Sequence, residues 1–525
     1  METTTATVSR ASPGADRGTA TWIIAMVAVA GTAFALRLAP VLAGGRLLGR
    51  GNYDDGVYYT AASGFAHGLM PYRDFLLLHP PGIVLALAPF ASLADLVGDP
   101  TAFAAARIGF MIIGSANAVL VAVALRRLGP AAAMVGGLTY AVFFPAVYVE
   151  HSALLEPLAT SCLLGAVILT GLASRSDAVE IQSGAKTRRS APTGLLLVIV
   201  AGALLGVSTA IKVWGVVPAF AMIAWVLATL GWRRALAMTA GYAAGATTIC
   251  LPFFLAAPRQ MWQLVLLAQL GRPRMAGSWL ERVHDIAGLT PFGPIATWSL
   301  VLAGTIFLPC GLAAWQSREG RVGVLLLGVT VALLLTTPSW FLHYAALTAA
   351  PTALVLGAAG GWLSGRITRP ISAIIAGAVT LGLIAGYGSL VLARPFGRPF
   401  PTAELQPAAA ASKTCVTTDD PISLIELDVL RRNLRRRCPL MVDLGGYNYA
   451  IQIGTPRFHS RAKSPSWQTV ALNYLTSGDT AIVGIRFRSG YGFSRATAIK
   501  IKSWPVVAKA GGVTVHRPIP MDMNR

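Results

Sequence analysis

The chain has 525 residues, 54% of them hydrophobic and only 12% charged, with a formal net charge of +21. So few charges cannot coat a water-soluble protein of this length, which excludes an ordinary soluble enzyme and points to a chain that crosses a membrane many times. The basic excess suits anionic lipid headgroups, an anionic polymer or a solvated basic surface; outside a cell membrane it does not suit nucleic acid.

Residues 1–21 are polar and read as a cytoplasmic tail. The apolar run behind them has no convincing small-residue cleavage site, so 22–43 reads as the first membrane helix rather than a signal peptide. Further apolar runs lie at 101–125, 130–148, 154–173, 193–210, 214–231, 235–256, 294–315, 322–337, 341–361 and 370–392. At about 1.5 Å per residue, runs near 20 residues cross a hydrocarbon core of about 30 Å. Strict apolar/polar alternation is absent, so the spans are helices and not barrel strands. The expectation is a mainly α, polytopic membrane domain over 22–393 with about eleven transmembrane helices.

Lys and Arg set the orientation. Arg10, Arg17, Arg126, Arg127, Arg175, Lys186, Arg188, Arg189, Arg233, Arg234, Arg318, Arg321, Arg366 and Arg369 all fall on one side, while the short loops opposite contribute only Lys212. This predicts a cytoplasmic N-terminus, an odd number of spans and residues 394–525 outside the cytoplasm. The first external loop covers 44–100. Its apolar stretch 82–97 is barely long enough to span and would put Arg126 and Arg127 outside if it did, so it reads as an interfacial helix. The second large external loop, 257–293, contains Arg259, Arg272, Arg274, Arg282, Trp262 and Trp279. The cytoplasmic loop 174–192 is polar, basic and expected to be flexible. No repeat of fixed period is present.

Residues 394–412, with Pro395, Pro399, Pro401 and Pro407, read as a linker. Beyond it, 413–525 reads as a small extracytoplasmic α/β domain, with strands at 413–418, 439–443 and 480–484 and a helix over 421–436. Asp419-Asp420 ends the first strand and caps that helix. From 394 onward the chain has 19 Lys/Arg against 8 Asp/Glu, about half of the whole excess. Cys162, Cys250 and Cys310 fall inside spans, where Cys is a small apolar residue. Cys415 and Cys438 share the exported domain, and an oxidising compartment predicts a disulfide between them.

The sharpest candidate for chemistry is Asn52-Tyr53-Asp54-Asp55-Gly56, about ten residues beyond the first span. One carboxylate there could take a proton from an attacking hydroxyl while the other helps hold a divalent cation. An Asp-Gly turn with solvated side chains is the bland alternative.

An ordered set of motifs accompanies that pair: Pro71-Tyr72-Arg73-Asp74-Phe75, His79-Pro80-Pro81-Gly82, Leu154-Leu155-Glu156-Pro157, Leu205-Gly206 to Lys212, and Phe341-Leu342-His343-Tyr344. Together these resemble the GT-C superfamily of bacterial membrane glycosyltransferases that use polyprenyl-phosphate-linked sugars, among them mannosyl-, arabinosyl- and aminoarabinosyl-transferases. The resemblance implies a GT-C-like fold in the cell (inner) membrane, a polyprenyl-phosphate sugar donor, an extracytoplasmic glycan, lipid or protein acceptor, and no nucleotide cofactor. It assigns the catalytic role to Asp54 and Asp55, with Asp54 the first choice for general base. His79, Arg73, Lys212, Arg272 and Arg274 become candidates for the donor phosphate; His79 stands where relatives often have Lys. External acids in the family can bind a metal (Mg, Mn or Ca), and Asp55 with Glu156 are the candidates, Glu156 preferred over Glu150. Arg272 and Arg274 could equally meet lipid headgroups, and Lys212 could snorkel from a short helix. His343 and Tyr344 read as packing residues at a helix start. The tail resembles the C-terminal segment of some bacterial relatives, which implies a domain that positions acceptor without active-site residues of its own. A lipid-linked sugar transporter or flippase, or a non-catalytic envelope-assembly protein, is the alternative to a transferase.

Overall fold

The structure, a computed structural model, describes residues 13–43, 45–183, 191–274, 278–294, 297–394, 396–455, 458–487 and 492–519. Part of the polar N-terminal tail and residues 184–190 of the expected cytoplasmic loop lie outside them.

In hydrocarbon a backbone must bond to itself, and the long apolar runs accordingly become helices. Eight are long and apolar enough to cross a membrane: Thr19–Leu42, Asp99–Leu128, Glu156–Arg175, Thr193–Ile211, Val213–Leu230, Trp232–Ala256, Arg318–Thr336 and Leu342–Ser364. The run expected at 130–148 forms two helices, Pro130–Val142 and Phe144–Glu150, bent by 56° where Pro145 follows Phe144. Counted as one span, this pair brings the number to nine among the described residues. The expected spans 294–315 and 370–392 are the helix Thr297–Ala314 and the chain Arg369–Leu392, whose middle, Gly382–Gly388, is π-helical. Both are apolar helices that stand beside the eight or nine spans counted among the described residues.

Small residues set how closely these helices approach. Along Ala191–Ile211 and Trp232–Ala256, Gly202, Gly206, Gly241 and Gly245 face the partner helix. A Cβ on any of the four would come within 2.2 Å of a backbone oxygen opposite. Without a hydrophobic force between helices in lipid, such contact supplies the packing energy.

The first loop is largely ordered. It contains the helix Tyr53–Ala66 and the 16-residue helix Gly82–Val97, which buries Ile83, Val84 and Leu87 and leaves Leu96 exposed. The segment expected to be a linker is also ordered. Gly49–Arg50 (β1) pairs antiparallel with Arg398–Pro399 (β2), and the helix Thr402–Ala410 buries Leu405 and Ala409 in the main core. Pro399 ends β2, Pro401 precedes the helix, and Pro407 is accommodated inside it.

The C-terminal domain holds a four-stranded sheet of Val416–Thr418 (β3), Thr480–Val483 (β4), Val506–Ala510 (β5) and Val513–His516 (β6), in the order β3-β4-β6-β5. The β3–β4 pair is parallel and the other two are antiparallel. The strand expected at 439–443 is absent: Pro439–Asp443 is irregular and turns at 444–446. The helix expected over 421–436 is two, Pro421–Glu426 and Leu430–Arg435, separated at Asp428, whose φ is 53°. Asp420 caps the first by accepting from the Ile422 N–H at 3.2 Å. Ile422 presses against Gly56, where no Cβ would fit, and so locks this domain onto the first-loop helix.

Cys415 and Cys438 form the expected disulfide, with Cα atoms 5.8 Å apart. Replacing both by Ser is expected to cost about 3 kcal/mol through the freed loop. A lower thermal midpoint of the full-length protein in detergent, matched by adding reductant to the unmodified chain, is the result to look for; equal midpoints would contradict it.

Candidate active site

A cavity of about 620 Å³ lies where the first loop, the second loop, the start of the Leu342–Ser364 helix and the C-terminal domain meet. Asp54 is in its wall, half-buried in the first turn of the helix Tyr53–Ala66. Asn52 caps that helix, its side-chain oxygen accepting from the Asp54 N–H at 3.1 Å. Burial raises the Asp54 carboxyl to about 7, the charge of Asp443 pushing the same way and Arg272 opposing. A carboxylate held near neutrality in a cleft is poised to exchange protons.

Asp55 points elsewhere. Its Oδ2 accepts from Arg107 Nε at 3.0 Å, and Arg107 also donates to the carbonyls of Leu47 and Gly49 at 2.8 and 2.9 Å. Adjacent helical residues cannot share a face, so only one of the two acids can look into the cavity. Asp55 is a buried anchor for Arg107 and is not in the cavity wall with Asp54. Glu156 is likewise closed off, its Oε1 2.5 Å from Lys212 Nζ. Glu150 forms a buried ion pair with Arg37 and accepts from the Tyr140 hydroxyl at 2.5 Å. The expected metal pair Asp55 and Glu156 therefore does not converge, and the described residues contain no group of three or more His, Cys, Asp or Glu side chains suited to a metal.

Among the expected phosphate ligands, the structure brings two to the cavity. His79 is set by a strained turn: Tyr72, at φ 70°, donates its N–H to the Phe75 carbonyl at 2.9 Å and its hydroxyl to the His79 carbonyl at 2.7 Å. Burial, with the cations Arg272 and Lys212 adding to it, drives the His79 imidazole well below its usual pKa, so it is neutral and has a single N–H to donate. Arg272 donates to the Tyr344 hydroxyl at 3.0 Å and lies 4.9 Å over the Tyr449 ring. Lys212 sits 4.9 Å over the Tyr344 ring, neutralised by Glu156 and outside the cavity wall. Arg73 is exposed and paired with its neighbour Asp74 at 2.8 Å, and Arg274 is exposed and also absent from the wall. Those two do not join the site.

His343 and Tyr344, expected to be packing residues, line the cavity. Tyr344 does pack, 4.4 Å from the Trp214 ring, but its hydroxyl holds Arg272.

The expectation that the tail has no site residues is corrected. Asp443, Gly445, Gly446, Tyr449, Arg461 and Arg486 form one wall of the same cavity. Asp443 accepts from the Tyr53 hydroxyl at 3.0 Å and from the Gly446 N–H at 2.7 Å. Arg461 donates to the Gly445 carbonyl at 3.1 Å, and Arg486 lies 4.7 Å over the Tyr53 ring. The one sequence signal was Asp443-Leu444-Gly445-Gly446, an acid before a Gly-Gly turn, obscured by reading 439–443 as a buried strand.

No family model and no curated protein matches the sequence. Solved structures do match. ArnT from Cupriavidus metallidurans bound to undecaprenyl phosphate superposes with a TM-score of 0.62 at 16% identity, over 95% of this chain and 99% of that one. The Archaeoglobus fulgidus oligosaccharyltransferase tethered with an acceptor peptide containing the NVT sequon gives 0.56 at 13% identity, over 95% of this chain and 74% of that one. AglB from Archaeoglobus fulgidus, in complex with an inhibitory peptide and a dolichol-phosphate, gives 0.54 at 13% identity, over 89% and 69%. The helical GT-C fold with a small C-terminal α/β unit is therefore the fold of this chain.

Proposed function

We propose that a chain of this fold, with one near-neutral carboxylate facing a cluster of donors across a cavity, is a membrane glycosyltransferase. It moves a sugar from a polyprenyl-phosphate donor to an extracytoplasmic acceptor, with Asp54 as general base. The observation that carries this reading is the placement of Asp54 and Arg272 in one wall system, an acid able to take a proton and a cation able to receive a phosphate. ArnT bound to undecaprenyl phosphate and AglB in complex with a dolichol-phosphate support a lipid-phosphate donor. The Lys/Arg asymmetry, and a disulfide that belongs in an oxidising compartment, support an extracytoplasmic site in a bacterial inner membrane.

The chemistry follows from the residues. The acceptor hydroxyl attacks the anomeric carbon and gives its proton to Asp54. The bond to the phosphate oxygen breaks, and its electron pair leaves with the lipid phosphate. Arg272, held by Tyr344, and the N–H of neutral His79 oppose that growing negative charge. Asp54 and Asp443, the acids that face the cavity, are the residues that would hold a divalent cation there, and it would add positive charge beside the leaving phosphate.

Binding of undecaprenyl phosphate to the purified full-length protein tests the donor half. Arg272→Ala is expected to weaken it by about 2 kcal/mol, roughly 30-fold, the scale of a charge-assisted hydrogen bond. Arg73→Ala and Arg274→Ala should leave it within about twofold, since neither side chain reaches the cavity. If all three variants bound like the unmodified protein, the assignment of Arg272 would fail.

A further inference from the structure

A second cavity, of about 1000 Å³, shares Tyr53 and Ile485 with the walls of the first. It is lined by the β1–β2 ribbon, by Asp420 and by the turn Gly511-Gly512.

Three features define what it could take. Arg50 and Arg398 stand directly opposite each other in the antiparallel β1–β2 pair, so two like charges share one face, an arrangement that is unfavourable unless balanced. Asp420 lies 3.6 Å from Arg50 Nε and offsets one of them. The Arg50 side chain remains 17% exposed in the cavity wall, and Arg398 is exposed at the rim. One positive charge and several N–H donors are thus left for a ligand.

The walls are also poor in side chains. Gly51, Gly397, Gly484, Gly511 and Gly512 contribute bare backbone. At Gly397, φ is 70° and a Cβ would lie 2.6 Å from the Arg50 carbonyl oxygen, so only glycine fits. Exposed peptide groups beside arginines suit a hydroxyl-rich chain and not a lipid tail.

We propose that this second cavity receives the acceptor, a hydrophilic glycan carrying a carboxylate or phosphate, and that its reacting hydroxyl reaches Asp54 past Tyr53 and Ile485. This rests on the transferase reading and names its acceptor class. The Arg50–Arg398 face binds the anionic group and the glycine walls bind the sugar rings. The acceptor O–H loses its proton to Asp54, its oxygen bonds to the anomeric carbon, and the lipid phosphate departs with the electron pair.

The test uses the purified full-length protein and two measurements. The first is binding of fluorescent oligogalacturonate (carboxylate), phosphorylated mannooligosaccharide (phosphate) and maltooligosaccharide (neutral). The second is binding of undecaprenyl phosphate. One anionic probe is expected to bind at least tenfold more tightly than the neutral one, and which of them does so identifies the anion. Arg398→Glu should weaken that probe at least tenfold and Arg398→Lys less than threefold, with undecaprenyl phosphate affinity unchanged in both. Neutral and anionic probes binding alike, or Arg398→Glu retaining the anionic probe, would overturn the acceptor site. Failure of the unmodified protein to bind undecaprenyl phosphate would instead overturn the transferase reading, whatever the glycans do.

Discussion

Asp54→Asn is expected to lower sugar transfer roughly 100- to 10,000-fold, the usual contribution of a positioned general base. The amide is close in shape but cannot accept the proton, so binding of undecaprenyl phosphate should survive. Asp54 sits near the N-terminal turn of its helix with its carboxyl raised to about 7, chiefly by burial. Below that pH it is protonated and inactive as a base, so the rate of the unmodified protein should climb with pH toward about 7 and level off above it. In Asp54→Asn this limb should vanish along with most of the rate. The stability effect has the opposite sign. The raised pKa means that ionisation is disfavoured in the fold, so this group's contribution is fully present below its unfolded value near 3.8 and is lost as pH rises through about 7. A well-expressed Asp54→Asn protein that transferred sugar at the unmodified rate would remove Asp54 from the mechanism.

Arg107→Met is expected to be the most damaging substitution for stability, by about 3–5 kcal/mol, the cost of leaving a buried charge without its partner. Arg107 is 2% exposed and ties together three regions far apart in the chain. It holds Asp55 of the first-loop helix by Nε and Nη2, both at 3.0 Å. It also approaches Glu426 of the C-terminal domain at 3.7 Å and lies 4.0 Å over the Phe103 ring. Burial raises Glu426 to about 8, so at neutral pH it is largely uncharged and Asp55 is the acid that needs Arg107. The double variant Arg107→Met/Asp55→Leu should therefore recover much of the loss, which thermal unfolding in detergent would measure. Equal midpoints for Arg107→Met and the unmodified protein would show that the pair is not a clasp. Transfer should fall with stability in Arg107→Met, because Asp54 immediately precedes Asp55 on the helix that Arg107 holds.

The membrane part of the fold was legible because its solvent leaves few options. Apolar runs such as 101–125 and 235–256 have no alternative to helix in hydrocarbon, and their ends agree with Asp99–Leu125 and Trp232–Ala256. The runs 294–315 and 370–392 are helical for the same reason, as Thr297–Ala314 and Arg369–Leu392. In the tail, periodicity over 421–436 continued smoothly across Asp428, and only its backbone at φ 53° breaks the helix there.

Asp54-Asp55 shows most directly where the sequence stopped. It marked both carboxylates, since two adjacent acids beside a membrane are costly wherever they point. It could not divide their roles, because that depends on Arg107, 52 residues beyond Asp55, filling the space on one side of the helix. Arg73 and Arg274 looked equivalent to Arg272 as local cations, yet only Arg272 has Tyr344 and Tyr449 folded against it. The wall formed by Asp443, Tyr449 and Arg461 left one local sign, an acid before a Gly-Gly turn, and its meeting with Asp54 across about 400 residues could not be read from it. Composition, hydropathy and the placement of Lys and Arg are properties each segment carries by itself, so the sequence determined a helical membrane protein with an acidic first loop. Which acid faces the cavity, which cation lies with it and the second cavity are products of distant segments brought into contact, and only the tertiary structure decided them.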